Sequence, residues 1–253
     1  MQSAAPVPDM IGMNGFRAAP GSSQEQFGRL LLAALLILFL PALPFGYVLI
    51  YPFHILTTWF HEMGHGLTAL ALGHGFKELV ILPDGSGWAS SRLAVDTSGL
   101  SHALIAMGGP LGPSAVGALL ILASAARKYW RPTLFVLAAV IAVSTLIWVR
   151  SLTGWIVLPA LAAGIALIAW RSRDSVQLFT LQFLGVLAAL SMFRDWDYLF
   201  SESAVIGGNV ILSDTGAMEA HLWLPHWVWA SIIIGLSGWM IGASLKYALS
   251  RCF

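Results

Sequence analysis

Charge is the first thing this sequence has little of. Of 253 residues, only 10% are Asp, Glu, Lys or Arg, against 58% that are hydrophobic, whereas a soluble domain carries about 25% charged residues. With a mean hydropathy of +0.79, that scarcity excludes an ordinary soluble fold and leaves a membrane protein. The 13 basic and 12 acidic side chains nearly cancel, for a formal net charge of +1. No global basic field exists to attract a polyanion, so nucleic acid is not an expected partner. Cysteine is scarcer still, with Cys252 alone near the C-terminus. One thiol closes no disulfide within the chain and builds no Cys-based zinc site, so any metal must rest on histidine and carboxylate. The N-terminus also lacks the basic start and short apolar core of a secretory signal. Residues 1–28, rich in Pro, Gly and Ser, are expected to form a disordered tail ahead of one polytopic domain at 29–253, with its core at about 45–125 and 176–225.

What the chain has in abundance is long apolar runs. A membrane helix needs about 20 such residues, and they occur near 30–50, 53–73, 102–126, 132–149, 153–170, 176–193 and 226–247. The expected fold is an all-α polytopic membrane protein of six or seven transmembrane helices, multi-pass in the bacterial inner membrane. The count turns on Pro41, Pro44 and Pro52, which interrupt the first two runs and permit a kinked or re-entrant segment. Between runs, Phe76 to Val95 contains a strand-like stretch, a Pro-Asp-Gly turn and a second mixed stretch, which predicts a small β-hairpin at the membrane surface. Basic residues divide almost evenly between the two sides, so orientation is not decided. Trp130, Trp148, Trp155, Trp170, Trp196, Trp223, Trp227 and Trp229 lie near helix ends, where an interfacial belt is expected.

Chemistry is concentrated in Phe53 to Gly73, where His61, Glu62 and His65 form H-E-x-x-H inside an apolar helical run. Residues four apart share a helix face, so both histidines can reach one Zn2+ ion, and Glu62 can reach a water beside it. In an apolar helix such groups cost several kcal/mol unless partnered, which marks them as functional. His54, seven residues before His61, is a conceivable further ligand or supporting group; an interfacial histidine is the plainer reading. A catalytic zinc usually takes a third protein ligand. Asp197 is ranked first, Asp214 second and Asp195 third: Asp195 and Asp197 diverge by about 200 degrees on a helix, and Arg194 can neutralise Asp195. Asp214 has an alternative role as cap of a helix near Thr215.

HEMGH at 61–65 within an apolar helix resembles the site-2 protease family of intramembrane zinc metalloproteases. The segment AMGGPLGPSAVGALLIL at 106–122 is similar to that family's Ala-Gly-Pro-Leu type stretch, and its G-x-L-G-P form to the M50B-like branch. SMFRDWDYLF and SDTGAM look like that branch's two Asp-containing motifs, although the usual Leu-Asp-Gly is missing. The resemblance implies zinc ligation by His61 and His65, Glu62 as catalytic base, and an Asp late in the chain as third ligand, here Asp197 by position. It implies a single-span membrane protein as substrate, cut within the lipid bilayer. Hydrolysis at that depth needs a polar cavity, whose mouth His102 or the hairpin is expected to line. An unwound substrate segment could add to the hairpin's free edge. Two other readings fit the same helices: a noncatalytic zinc-binding membrane protein, and a small ion or proton transporter using the His/Asp cluster.

Overall fold

The computed structural model describes residues 23–250. The chain runs α1 (Ser23–Phe39), α2 (Gly46–Ala71), β1 (Gly75–Ile81), β2 (Gly87–Arg92), α3 (Gly99–Ser124), α4 (Arg127–Trp148), α5 (Leu152–Arg171), α6 (Asp174–Arg194), α7 (Trp196–Leu199), β3 (Ser203–Ile206), β4 (Asn209–Leu212), α8 (Asp214–His221) and α9 (His226–Ser250). Six helices, α1, α3, α4, α5, α6 and α9, are long and apolar enough to cross a membrane. At 26 residues α2 is a seventh helix of spanning length. The expected count turns on the prolines, and α2 accommodates Pro52 within its length. Of the expected tail, residues 1–22 lie outside the described residues; α1 already begins at Ser23.

Of the three expected interruptions, Pro41 and Pro44 fall at the break between the first two helices, and Pro52 does not end α2. The break between the first two helices falls at a 3-10 turn, Leu40–Ala42, followed by Phe45 in the left-handed region at φ 61°. Pro52 sits inside α2, and Pro110 and Pro113 sit inside α3. Gly46 permits the sharp re-entry, since a Cβ there would fall 1.7 Å from the Leu40 carbonyl oxygen.

Helix α2 is the organising element, because its Ile55, Leu56, Trp59, Phe60 and Met63 are buried in the main core with residues of β1, α4, α5 and α6. Trp59 Nε1 donates to Ser144 Oγ of α4 at 3.1 Å, which satisfies the one polar atom this aromatic carries inward. The expected hairpin is present as antiparallel β1–β2, and it lies lengthwise against α2. Its turn reaches back to the helix's first half: Tyr51 Oη donates to the Pro83 carbonyl at 2.8 Å, and Thr58 Oγ1 to the Gly85 carbonyl at 2.6 Å. Phe76, Leu79 and Ile81 are buried. The outer edge of β1 is closed by the α4–α5 connection, through Arg150 N–H to the Leu79 carbonyl at 2.8 Å and Ile81 N–H to Ser151 Oγ at 3.0 Å. A second antiparallel pair, β3–β4, was not expected from the sequence.

Candidate metal centre

Small residues bring α2 and α3 into backbone contact beside the H-E-x-x-H turn. A Cβ on Gly64 would lie 2.1 Å from the Gly108 carbonyl oxygen, and one on Gly112 would lie 2.7 Å from that of Phe60. The AMGGPLG stretch therefore supplies an approach that side chains would forbid. Its Gly109 is the most constrained, since a Cβ there would fall 2.2 Å from His65 Nε2 and 2.8 Å from His61 Nε2.

The two imidazoles lie with ring centroids 4.9 Å apart and face a carboxylate. His61 Nε2 is 3.0 Å from Asp214 Oδ2, and His65 Nε2 is 3.2 Å from Asp214 Oδ1. Ligand atoms of all three side chains lie within 4.8 Å of one another, a group that could hold a metal ion. His65 Nδ1 is 2.7 Å from the Ile105 carbonyl oxygen. A proton on Nδ1 is donated there, leaving the Nε2 lone pair for a metal. Asp214 Oδ2 is buried without a hydrogen bond of acceptable geometry, despite His61 Nε2 at 3.0 Å. An orphaned buried carboxylate oxygen facing two imidazole nitrogens is a donor set suited to zinc, and the residues fit such an ion. Burial opposes ionisation of Asp214, yet the facing imidazoles outweigh it and hold the carboxyl well below the usual carboxylate range.

The third member of this group is Asp214, ranked second from the sequence, rather than the first-ranked Asp197. Asp197 is an exposed residue of α7 whose backbone carbonyl accepts from Ser201 Oγ at 2.6 Å, and it does not join the group. Asp214 is free to face the histidines because Ser213, not Asp214, caps α8, accepting the Gly216 N–H at 3.0 Å. The Ser-Asp pair carried the signal, but the capping role belonged to the other residue. Asp195, at the α6–α7 junction, lines the cavity beside Tyr198 without joining the three ligands. His102 does not line the mouth; it stacks on His221 at 4.2 Å between centroids.

Glu62 is buried, next to His61 on the same turn, and faces a cavity of about 660 Å³ that both histidines and Asp214 also line. The Ala89 backbone of β2 lies beside its carboxylate. His54 lines the same space, tucked under Gly85 of the hairpin turn, where a Cβ would fall 2.8 Å from its ring. At the hairpin turn, the Ser86 hydroxyl and N–H hold Asp84 below its usual range. Tyr198, which the sequence did not single out, packs edge-on to His61 at 6.3 Å; burial, then the nearby Asp214 and Glu62 carboxylates, push its phenol up.

The family model for Peptidase M50B-like proteins matches residues 30–244. The chain belongs to that family. Membership places it among site-2-type membrane metalloproteases at the level of the family, and the match spans every helix from α2 to α8. No similarity to a curated protein or to a solved structure was found.

Proposed function

We propose that this M50B-like chain is a zinc metallopeptidase that hydrolyses peptide bonds of single-span membrane proteins within the bilayer. The observation that carries the reading is the meeting of His61, His65 and Asp214 within 4.8 Å, with the Glu62 carboxylate on the same cavity. His61 and His65 through Nε2, with Asp214 through its carboxylate, would hold the ion. When bound, zinc supplies Lewis acidity that acidifies water and polarises a peptide carbonyl. Glu62 takes the proton from water and returns it to the leaving amine. Its burial beside apolar α2 residues keeps bulk solvent from competing for that proton.

A helical substrate hides its carbonyls in hydrogen bonds, so the reacting segment must be extended. The edge of β2 away from β1 suits such a segment. Ala89 pairs with Leu79, whose own carbonyl points away from β2 toward Arg150, so the Ala89 backbone groups likewise point outward, beside Glu62. Strand addition there sets the scissile carbonyl against the ligand cluster. Neither a noncatalytic zinc protein nor an ion relay draws support from an observation of its own, and a purely structural metal site has no use for Glu62.

The test is zinc content with cleavage of a tethered single-span substrate in liposomes. Wild type is expected to hold about one zinc and to cut. Glu62→Gln keeps the metal and loses cutting. Asp214→Asn loses zinc affinity by more than the roughly 10–100-fold typical of groups that merely support a ligand, while Asp197→Asn changes neither. A wild-type chain that binds no zinc refutes the reading.

A further inference from the structure

The segment SAVIGGNVIL at 203–212 contains no charged residue and is apolar on both faces of the sheet it forms. Its register pairs Ala204 with Ile211 and Ile206 with Asn209, which puts Ala204, Ile206 and Ile211 on one face and Val205, Val210 and Leu212 on the other. Gly207 and Gly208, at φ 59° and 81°, make the two-residue turn that such a hairpin requires. At its root the hairpin is fixed to the helix that carries Asp214. Ser213 N–H donates to the Glu202 carbonyl at 3.0 Å, Ser213 Oγ donates to the Ser201 carbonyl, and a Cβ on Gly216 would fall 2.0 Å from the Glu202 oxygen. At its tip it meets the first hairpin: from a Cβ on Gly207, Leu82 Cδ1 would be 3.5 Å and Trp88 Cζ3 3.8 Å away.

The cavity over the ligand cluster thus has two β walls that touch at their tips. Gly87, Trp88, Ala89 and Ser91 of β2 form one, and Ala204, Ile206 and Ile211, with Val205 and Leu212 at the margin of the hairpin but not Val210, line the other. The two walls differ in kind. The β2 wall offers outward-facing backbone groups with which an extended peptide can pair; an acyl chain gains nothing from them. The opposite wall offers aliphatic side chains and no charge. Although Ile211 lines the cavity, it is 40% exposed, a state that costs apolar contact unless something covers it.

We propose that the β3–β4 hairpin is the specificity jaw of the site, receiving through Ala204, Ile206 and Ile211 the aliphatic side chains of an extended substrate segment held on β2. This rests on the peptidase reading and goes further by naming what the enzyme selects: an uncharged stretch with aliphatic residues at alternate positions beside the scissile bond. Alternation follows from strand geometry, since successive side chains of the held segment point to opposite sides. Because the jaw is rooted on α8, a segment that fills it also bears on the helix presenting Asp214.

The experiment uses the full chain, zinc-loaded, in liposomes containing a single-span substrate. Ile206→Asp and Ile211→Asp are expected to raise KM by roughly tenfold or more, as a charge against aliphatic side chains should, with kcat and zinc content unchanged. Val210→Asp, on the opposite face, stays within about twofold of wild type, as a surface change does. A substrate in which one aliphatic residue beside the scissile bond is replaced by Lys is cut poorly by wild type and is recovered by Ile211→Asp. In the Glu62→Gln chain, a photoreactive side chain at position 211 captures the substrate, which tests the jaw without turnover. If wild type cuts, Ile206→Asp and Ile211→Asp keep their KM and no capture occurs, the jaw is refuted and the peptidase stands. If wild type neither binds zinc nor cuts while position 211 still captures the peptide, the peptidase reading fails and the binding surface survives. Loss of both overturns the two together.

Discussion

The two hairpins that flank the ligand cluster have opposite constructions. In β1–β2 the inward residues Leu79 and Ile81 are fully buried, the outer edge of β1 is closed by the α4–α5 connection, and the turn is tied to α2 by Tyr51 and Thr58. In β3–β4 both central valines are exposed, Val205 at 69% and Val210 at 73%, and among the described residues the hydrogen bonds that fix the pair lie at its root, on Ser213. One wall takes its position from the core; the other takes it from a single short helix. On the proposed reading, such a site would hold Glu62 and the β2 edge firmly while the opposing wall stays adaptable, which would suit substrates that share an extended backbone but differ in side chains.

The sharpest way to break that contrast is to wedge the firm wall. Gly66 meets the Phe76 ring so closely that a Cβ would fall 2.2 Å from it, so Gly66→Val should force β1 from α2 and abolish both folded yield and zinc binding, read by size-exclusion and metal analysis. Next comes truncation within the same wall. Leu79→Ala should cost about 2–5 kcal/mol, whereas Val210→Ala in the other hairpin should stay within about 0.5 kcal/mol; thermal unfolding in detergent measures both, and equal losses would erase the distinction. Thr58→Val removes the 2.6 Å bond to the Gly85 carbonyl and should cost about 1 kcal/mol, with faster hydrogen exchange confined to the first hairpin's turn.

The smallest effect concerns the far end of α8. Glu219 Oε2 accepts from the His226 backbone N–H at 2.8 Å and lies 2.6 Å from its imidazole Nδ1. These hydrogen bonds hold Glu219 below its usual range. A depressed carboxylate contributes stability that is present above its unfolded pKa, near 4.3, and is lost as pH falls through the folded value. Acidification should therefore loosen the α8–α9 joint in wild type and leave Glu219→Gln unaffected over that window, as hydrogen exchange of residues 219–226 would report.

Much of this architecture was legible because membrane helices announce themselves by apolar length and because H-E-x-x-H packs three functional groups into one turn. The first hairpin was legible from its Pro-Asp-Gly turn. The second was not, since SAVIGGNVIL lacks the alternation that marks a strand pair with one buried face. Asp197 outranked Asp214 for a physical reason: sequence cannot tell which residue of Ser213-Asp214 caps the helix, and the choice decides whether the carboxylate is spent on backbone N–H groups or left to face the histidines. The GGPLG stretch was recognised by likeness, but its purpose is the backbone approach at Gly64, Gly108 and Gly112 and the room that Gly109 leaves for two imidazoles.

The ligands come from distant stretches of the chain, two from α2 and one from α8. During synthesis, at roughly 5–20 residues per second, His61 and His65 enter the membrane well before Asp214 has been translated. A nascent chain holds at most a two-ligand site, too poor to retain zinc tightly. On the proposed reading, the complete ligand set therefore exists only once α8 has been translated, so a ribosome-bound or truncated copy that ends before it would be unable to cut its neighbours in the insertion machinery.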